Sequence, residues 1–351
     1  MSATTDEIAG RIFDAALGTA DLLSVYLGDR LGYYRALVEI GPAGPGELAA
    51  ATGTAERYAR EWLEQQATTG LLEHEGRGAD ARYTIGTGAA EVLTDTSSLD
   101  YLAPLARMLA AAAVQLPALL EAYRTGGGVS WDQLGPDARE SQADMNRPWF
   151  ERRLAPSLAS VPELHDLLGR AGARIADVGC GAGWSTLALA RAYPGATVVG
   201  IDVDEPSVEA ARASAVRFGL DDRVEFRHAD GGGVDDEFDV AFVFEALHDM
   251  PRPVEVLSAL RRAVRDDGAV VIVDEAVADE LTPGDGVERI MYGFSLLVCL
   301  PDGMSSPHSV GTGTVMRRAV LERYAREAGF TAVEQLPIEG FGLLRFSRLR
   351  P

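Results

Sequence analysis

The strongest constraint on this chain's fold lies between residues 174 and 274, where short Val- and Ile-rich runs alternate with helical patterns. The runs 174–178, 197–201, 224–228, 239–244 and 269–274 are mostly apolar, as strands are when a sheet is covered on both faces. Helical periodicity falls between them at 184–192, 205–218 and 253–264. Strand and helix in alternation specify a parallel α/β sheet with crossover helices. After a further helix at 314–328, Gly329 ends the run, and 331–336 and 342–349 form a strand pair with no helix between them. The final strand is therefore expected to enter antiparallel.

The front of the chain is different. Ile8, Ile12, Phe13, Leu17, Leu22, Leu23, Tyr26, Leu27 and Leu31 carry helical periodicity over residues 6–40, up to the breaker cluster at 41–46. Helices at 46–51 and 55–69 follow, the second with Thr54 as its N-cap. The runs 71–74 and 82–85 then flank a glycine-bearing turn and read as a β-hairpin. Helix, helix, helix, hairpin is the winged-helix order. Residues 1–100 hold 16 Asp and Glu against 7 Arg, and a DNA reader needs a basic face. The expected role is dimerisation and substrate cover, with a SAM- or metabolite-sensing regulator as the rival. An apolar helix at 99–125, broken near Pro117, and helices at 137–168 lead into the second half. The expected division is a winged-helix dimerisation domain (1–98), a helical lid (99–168) and a cofactor-binding domain (169–351).

Composition narrows the chemistry. The formal charge of -21 repels nucleic-acid phosphates and anionic membrane surfaces. All 32 basic residues are Arg, so lysine Schiff bases, pyridoxal phosphate anchoring and a P-loop lysine are excluded. Cys180 and Cys299, far apart, make no disulfide framework, which fits a reducing cytoplasm. Residues near the start lack a signal-peptide pattern, and the apolar stretches 108–120 and 290–300 are too short to span a bilayer.

The glycine-rich turn Asp177-Val178-Gly179-Cys180-Gly181-Ala182-Gly183 follows the first of these strands and opens a helix. Gly179, Gly181 and Gly183 let backbone approach a cofactor without a Cβ in the way. Asp177 would repel a pyrophosphate but attract the ammonium of S-adenosylmethionine (SAM), and the spacing is Gly-x-Gly-x-Gly. Both details favour SAM over NAD. Nineteen residues after Gly183, Asp202 ends the second strand, where a carboxylate can accept hydrogen bonds from ribose hydroxyls. Ala229-Asp230, after the third strand, is placed to meet the adenine amino group.

These motifs, with Phe244-Glu245-Ala246-Leu247-His248-Asp249-Met250 and the closing strand pair, resemble the class I SAM-dependent methyltransferases over about residues 145–350. The whole chain, winged helix included, resembles the bacterial small-molecule O-methyltransferases. The resemblance implies a Rossmann-like sheet, a homodimer, and SAM as cofactor with S-adenosylhomocysteine (SAH) as product. It implies a cofactor seat of Asp177, Gly179, Gly181, Gly183, Asp202, Val203, Ala229, Asp230, Phe244 and Glu245. It also assigns His248, of the His248-Asp249 pair, as the general base that deprotonates an acceptor hydroxyl. Here Met250 stands where those enzymes often carry Trp, and Pro251-Arg252-Pro253 replaces their acidic pair. Trp149, Phe150, Met291, Phe294 and His308 are the expected acceptor-side residues, of a type that suits an apolar or aromatic metabolite. Trp149 and Phe150 either close over SAM or pack between the domains. A metal-assisted C-methyltransferase of an α-keto acid, using His248, Asp249 and His308 as ligands, is the alternative. His74, His165 and His228 are read as structural or solvated.

Overall fold

The computed structural model describes residues 3–350, and the chain divides into two compact units, Met1–Ala110 and Ala111–Pro351. The first unit begins with α1 (Thr5–Arg30), α2 (Tyr33–Ile40), α3 (Pro45–Thr52) and α4 (Glu56–Thr69). The hairpin β1 (Leu72–Glu75) and β2 (Arg82–Ile85) follows, then α5 (Thr87–Thr94). The periodic stretch 6–40 is thus two helices, because Gly32 adopts φ +73° between them. Thr54 does not cap α4. Ala55 holds that position, and the Thr54 hydroxyl instead accepts a hydrogen bond from Tyr33 at 2.9 Å. Tyr33, Tyr34, Leu37, Leu48 and Leu63 are buried around Trp62. On α1 the apolar row Ile8, Ile12, Phe13 and Leu17 stays 46–67% exposed.

Two helices replace the apolar run 99–125: α6 (Ala103–Val114) and α7 (Leu116–Thr125). The break falls at Gln115 because Pro117 has no N–H and belongs in a first helical turn. Among the described residues no single helix is long and apolar enough to cross a membrane.

In the second unit α8 (Trp131–Trp149) runs through a π-helical turn at Phe150–Leu154 into α9 (Ala155–Ala159) and α10 (Pro162–Leu168). The strands are β3 (Arg174–Val178), β4 (Thr197–Asp202), β5 (Val224–His228), β6 (Phe238–Phe244), β7 (Val264–Glu275), β8 (Ala332–Gln335) and β9 (Leu344–Arg350). They form one sheet in the order β5-β4-β3-β6-β7-β9-β8, with β3 to β7 parallel and β9 antiparallel to both of its neighbours. The crossover helices are α11 (Trp184–Ala192), α12 (Glu205–Phe218) and α13 (Pro253–Ala263); α14 (Gly286–Phe294), α15 (Leu300–Met304) and α16 (Arg318–Glu327) complete the unit. Alternate strand residues feed two apolar layers. Ile175, Val198, Phe242 and Val271 lie in one, and Ala176, Val199, Val243 and Ile272 in the other. The chain order reverses between β3 and β6, which opens a crevice at their carboxyl ends. The functional residues gather there.

Candidate active site

β3 delivers Asp177, fully buried, to the edge of this crevice. Its Oδ2 accepts from the hydroxyls of Ser185 (2.6 Å) and Thr186 (2.5 Å) at the start of α11, while Oδ1 has no partner. Burial pushes the carboxyl up to about 6 against those two hydrogen bonds, and nearby Asp202 acts in the same direction as burial. An orphaned carboxylate oxygen beside a glycine turn suits an ammonium group and would repel a phosphate. The turn itself needs its glycines. Gly179 and Gly183 adopt φ +77° and +79°, and a Cβ would fall 2.4 Å from the Ala246 side chain and 2.6 Å from the Phe226 ring. The residues present fit SAM at this point.

Asp202 ends β4 and spans the turn. Its Oδ2 accepts from Gly181 N–H (2.7 Å) and its Oδ1 from Asp204 N–H (2.8 Å). Each oxygen retains a second lone pair, which is what a vicinal diol requires. The remaining predicted cofactor residues divide. Ala229 N–H ties the third strand end to the Asp202 carbonyl (2.9 Å), whereas Val203 is 67% exposed and its carbonyl faces His228 Nε2 at 3.0 Å. Asp230 sits at the rim, capping Gly232 N–H and pairing with Arg252 at 3.2 Å. The Phe244 ring is buried in the core, stacked on Phe242 and edge-on to Phe150, which leaves its backbone at the strand end as the part available to a cofactor.

The second half of the crevice is a cage of carboxylates around His248, which is 3% exposed. Nδ1 donates to Asp274 Oδ1 and lies 3.3 Å from Glu275 Oε2; Nε2 lies 3.3 Å from Asp249 Oδ1. Burial works against an imidazolium, but the charges of Asp249, Glu275 and Asp274 outweigh it and hold His248 well above 6.5. Burial likewise raises Asp274, yet contact with His248 prevails and keeps it below the carboxylate range; burial drives Glu275 well up. Glu245 precedes this cage in the left-handed region, at φ +46°. Its Oε2 accepts from Gln142 and Asn146, and burial raises its carboxyl to about 7.

Donor atoms of His248, Asp249 and Cys299, and separately of His248, Asp274 and Glu275, lie within 4.8 Å of one another. His308 belongs to neither set. It is exposed in a left-handed turn at φ +62°, so the expected trio with His248 and Asp249 is not assembled. Phe150 is buried against Phe244 and Phe341, and the half-buried Trp149 packs on Phe341 and over Gly342, all inside the second unit. Met291 is buried and Phe294 half-buried on α14, two turns from the Cys299 segment.

Sequence reasoning passed over Asp274, Glu275, Cys299 and Asp302. A pair of acids ending an otherwise apolar strand beside the crevice was the available signal for the first two. Asp302, on α15, accepts from Trp131 N–H at 2.7 Å and is pushed up to about 7 by burial and then by Asp249.

Residues 170–300 match a family model described as a methyltransferase domain, and residues 19–95 match an Rv2258c-like winged HTH domain. The chain is 37% identical over 186 residues to the 27-O-demethylrifamycin SV methyltransferase of Amycolatopsis mediterranei, covering 50% of this chain and 59% of that one. It is 32% identical over 171 residues to the demethylmenaquinone methyltransferase of Clavibacter sepedonicus, covering 47% and 68%. The chain thus spans less than two thirds of the first relative's length. The mitomycin 7-O-methyltransferase MmcR superposes with a TM-score of 0.75 at 23% identity, covering 98% of this chain and 97% of that one. That likeness extends through both units of the fold.

Proposed function

This chain belongs to the SAM-dependent methyltransferases, and on that premise we propose that it methylates a hydroxyl of a small, apolar or aromatic metabolite, with His248 taking the hydroxyl proton. Bound SAM supplies an electrophilic methyl group on a sulfonium. Asp177 and Asp202 hold the cofactor's ammonium and ribose, and the glycine turn allows close approach. Methyl transfer asks little of an enzyme beyond alignment and exclusion of water, so positioning carries most of the rate. The observation that supports the proton role is the pairing of His248 Nδ1 with Asp274. That bond fixes the ring and leaves Nε2, 3.3 Å from Asp249 Oδ1, as the ring nitrogen not held by Asp274, the orientation a general base requires. The relative named for a 27-O-demethyl substrate supports oxygen as the attacking atom. The test is SAH release from SAM with a panel of phenolic and aliphatic hydroxyl acceptors; no turnover with any of them, but turnover with enolisable α-keto acids, would reassign the acceptor.

The carboxylate cage sets the expected pH profile. His248 must lose its proton before it can accept one, and its surroundings hold that proton above pH 6.5. kcat/KM should therefore rise with pH along an acid limb displaced upward from the ordinary histidine value. Asp274→Asn removes one of the raising charges. The limb should move to lower pH and the plateau should fall, because the less basic ring is the weaker acceptor. An unmoved limb would detach Asp274 from the base.

The exposed row on α1 supports a homodimer. Ile8, Ile12, Phe13 and Leu17 recur at helical spacing and stay largely exposed among the described residues, and such a patch marks an association surface. The double substitution I12D/F13D should convert a dimer into a monomer by light scattering. A wild-type monomer at micromolar concentration would end this reading.

A further inference from the structure

Arg139, Gln142 and Asn146 lie at i, i+3 and i+7 on α8, a spacing that puts all three on one helix face. Each ends on a residue of the candidate active site. Arg139 Nε and Nη2 reach both oxygens of Asp204 at 2.8–3.0 Å, with the two side chains only 15% and 11% exposed. The Asp204 N–H in turn donates to Asp202 Oδ1, and Asp202 Oδ2 holds the glycine turn through Gly181. Three residues further along α8, Gln142 Nε2 donates to Glu245 Oε2 (3.2 Å), and Asn146 Nδ2 joins it at 3.4 Å. Glu245 needs such support. It is one of two non-glycine residues at positive φ among those described, a conformation that persists only where its surroundings hold it. Gly135, at φ +78°, breaks α8, so Arg139, Gln142 and Asn146 lie on its longer second segment; the short first segment is anchored separately, where Trp131 N–H meets Asp302 and Val129 N–H meets the Pro301 carbonyl at 3.0 Å. Gly128 lies so close that a Cβ would fall 2.1 Å from that carbonyl.

We propose that α8 couples the two halves of the site: Arg139 is the positioning residue for Asp202, and Gln142 and Asn146 are the positioning residues for Glu245. Filling the seat at Asp177 and Asp202 then orders Glu245 and the turn that carries His248. The inference rests on the reading of the Asp177–Asp202 end as the SAM seat. Its physical basis is shared ordering: a ligand that immobilises one end of the continuous helical segment after Gly135 lowers the conformational cost of fixing the other. The Arg139 link is bidentate and charge-assisted, so a point charge on a flexible stem does not replace it.

Hydrogen exchange of the full-length protein with saturating SAH tests the coupling. In the wild type, SAH should slow exchange in residues 177–183, 131–149 and 244–250 together. In Arg139→Ala, calorimetry should show SAH bound about tenfold more weakly. At saturation that variant should protect 177–183 while 131–149 and 244–250 exchange as in the ligand-free protein, and Arg139→Lys should behave alike. The Q142A/N146A variant should keep protection of 131–149 and lose it at 244–250. Thermal unfolding without ligand identifies any variant that is merely misfolded, and the two variants fail independently. Full protection of α8 and 244–250 in SAH-saturated Arg139→Ala would overturn the proposal. A wild type that binds SAH without protecting α8 also overturns it, whereas a wild type that does not bind SAH removes the SAM seat itself.

Discussion

Replacing His248 by alanine lowers kcat by roughly 10²–10⁴-fold, the usual worth of a positioned general base, while SAH affinity stays within a few-fold of wild type. The asymmetry follows from position. His248 lies in the turn after β6, and its named partners are Asp274, Glu275 and Asp249, whereas the carboxylates proposed to hold the cofactor, Asp177 and Asp202, stand at the ends of β3 and β4. Removing the ring also leaves buried Asp274 and Glu275, and partly exposed Asp249, without their partner, so some loss of stability accompanies the loss of rate. His248→Gln separates the two effects, because it fills the space without accepting a proton from a hydroxyl. Stopped turnover in both variants with intact SAH binding assigns the base. Wild-type kcat in His248→Gln would leave alignment alone as the source of catalysis.

Asp202→Ala weakens SAH binding by about a hundredfold or more. Two hydrogen bonds from a carboxylate to ribose hydroxyls each contribute on the order of 1.5–3 kcal/mol when one partner is charged. The same oxygens also hold Gly181 and Asp204, so the glycine turn loses a strut as well. The core beneath is untouched, since Val198, Val199 and Ile201 are buried independently of that side chain. Circular dichroism and the unfolding midpoint without ligand should therefore change little. Calorimetric affinity equal to wild type would take Asp202 out of the cofactor seat.

What was legible in the sequence was whatever depends on local period and turn chemistry. Apolar runs, intervening helices and the glycine turn announce the sheet, and the helix-free strand pair after Gly329 announces its antiparallel edge. The site was legible where a motif lies within a few residues, as at 177–183 and 248–249. It was not legible where partners come from different strands. Asp274 and Glu275 read as the end of an apolar strand, and only the adjacency of β6 and β7 brings them to His248. The burial of the Phe244 ring was legible. Phe244 shares the parity of Phe242 and Val240, so its ring must enter the same apolar layer. The packing of Trp149 and Phe150 was not legible, because their partner Phe341 lies far along the chain. His308 shows the limit of counting ligands by type: a loop histidine is a ligand only if its turn points inward, and this one does not.

The central claim is that a cationic sulfonium cofactor rests on buried carboxylates and bare glycine backbone at the carboxyl ends of β3 and β4. The most direct measurement is the unfolding midpoint of the protein with SAH and, in parallel, with NADH. SAH at a hundred times its dissociation constant should stabilise the fold by about 2.7 kcal/mol, or roughly 5–10 °C for a unit of this size, and NADH should leave the midpoint where it was. A midpoint raised by NADH and unmoved by SAH would contradict the account.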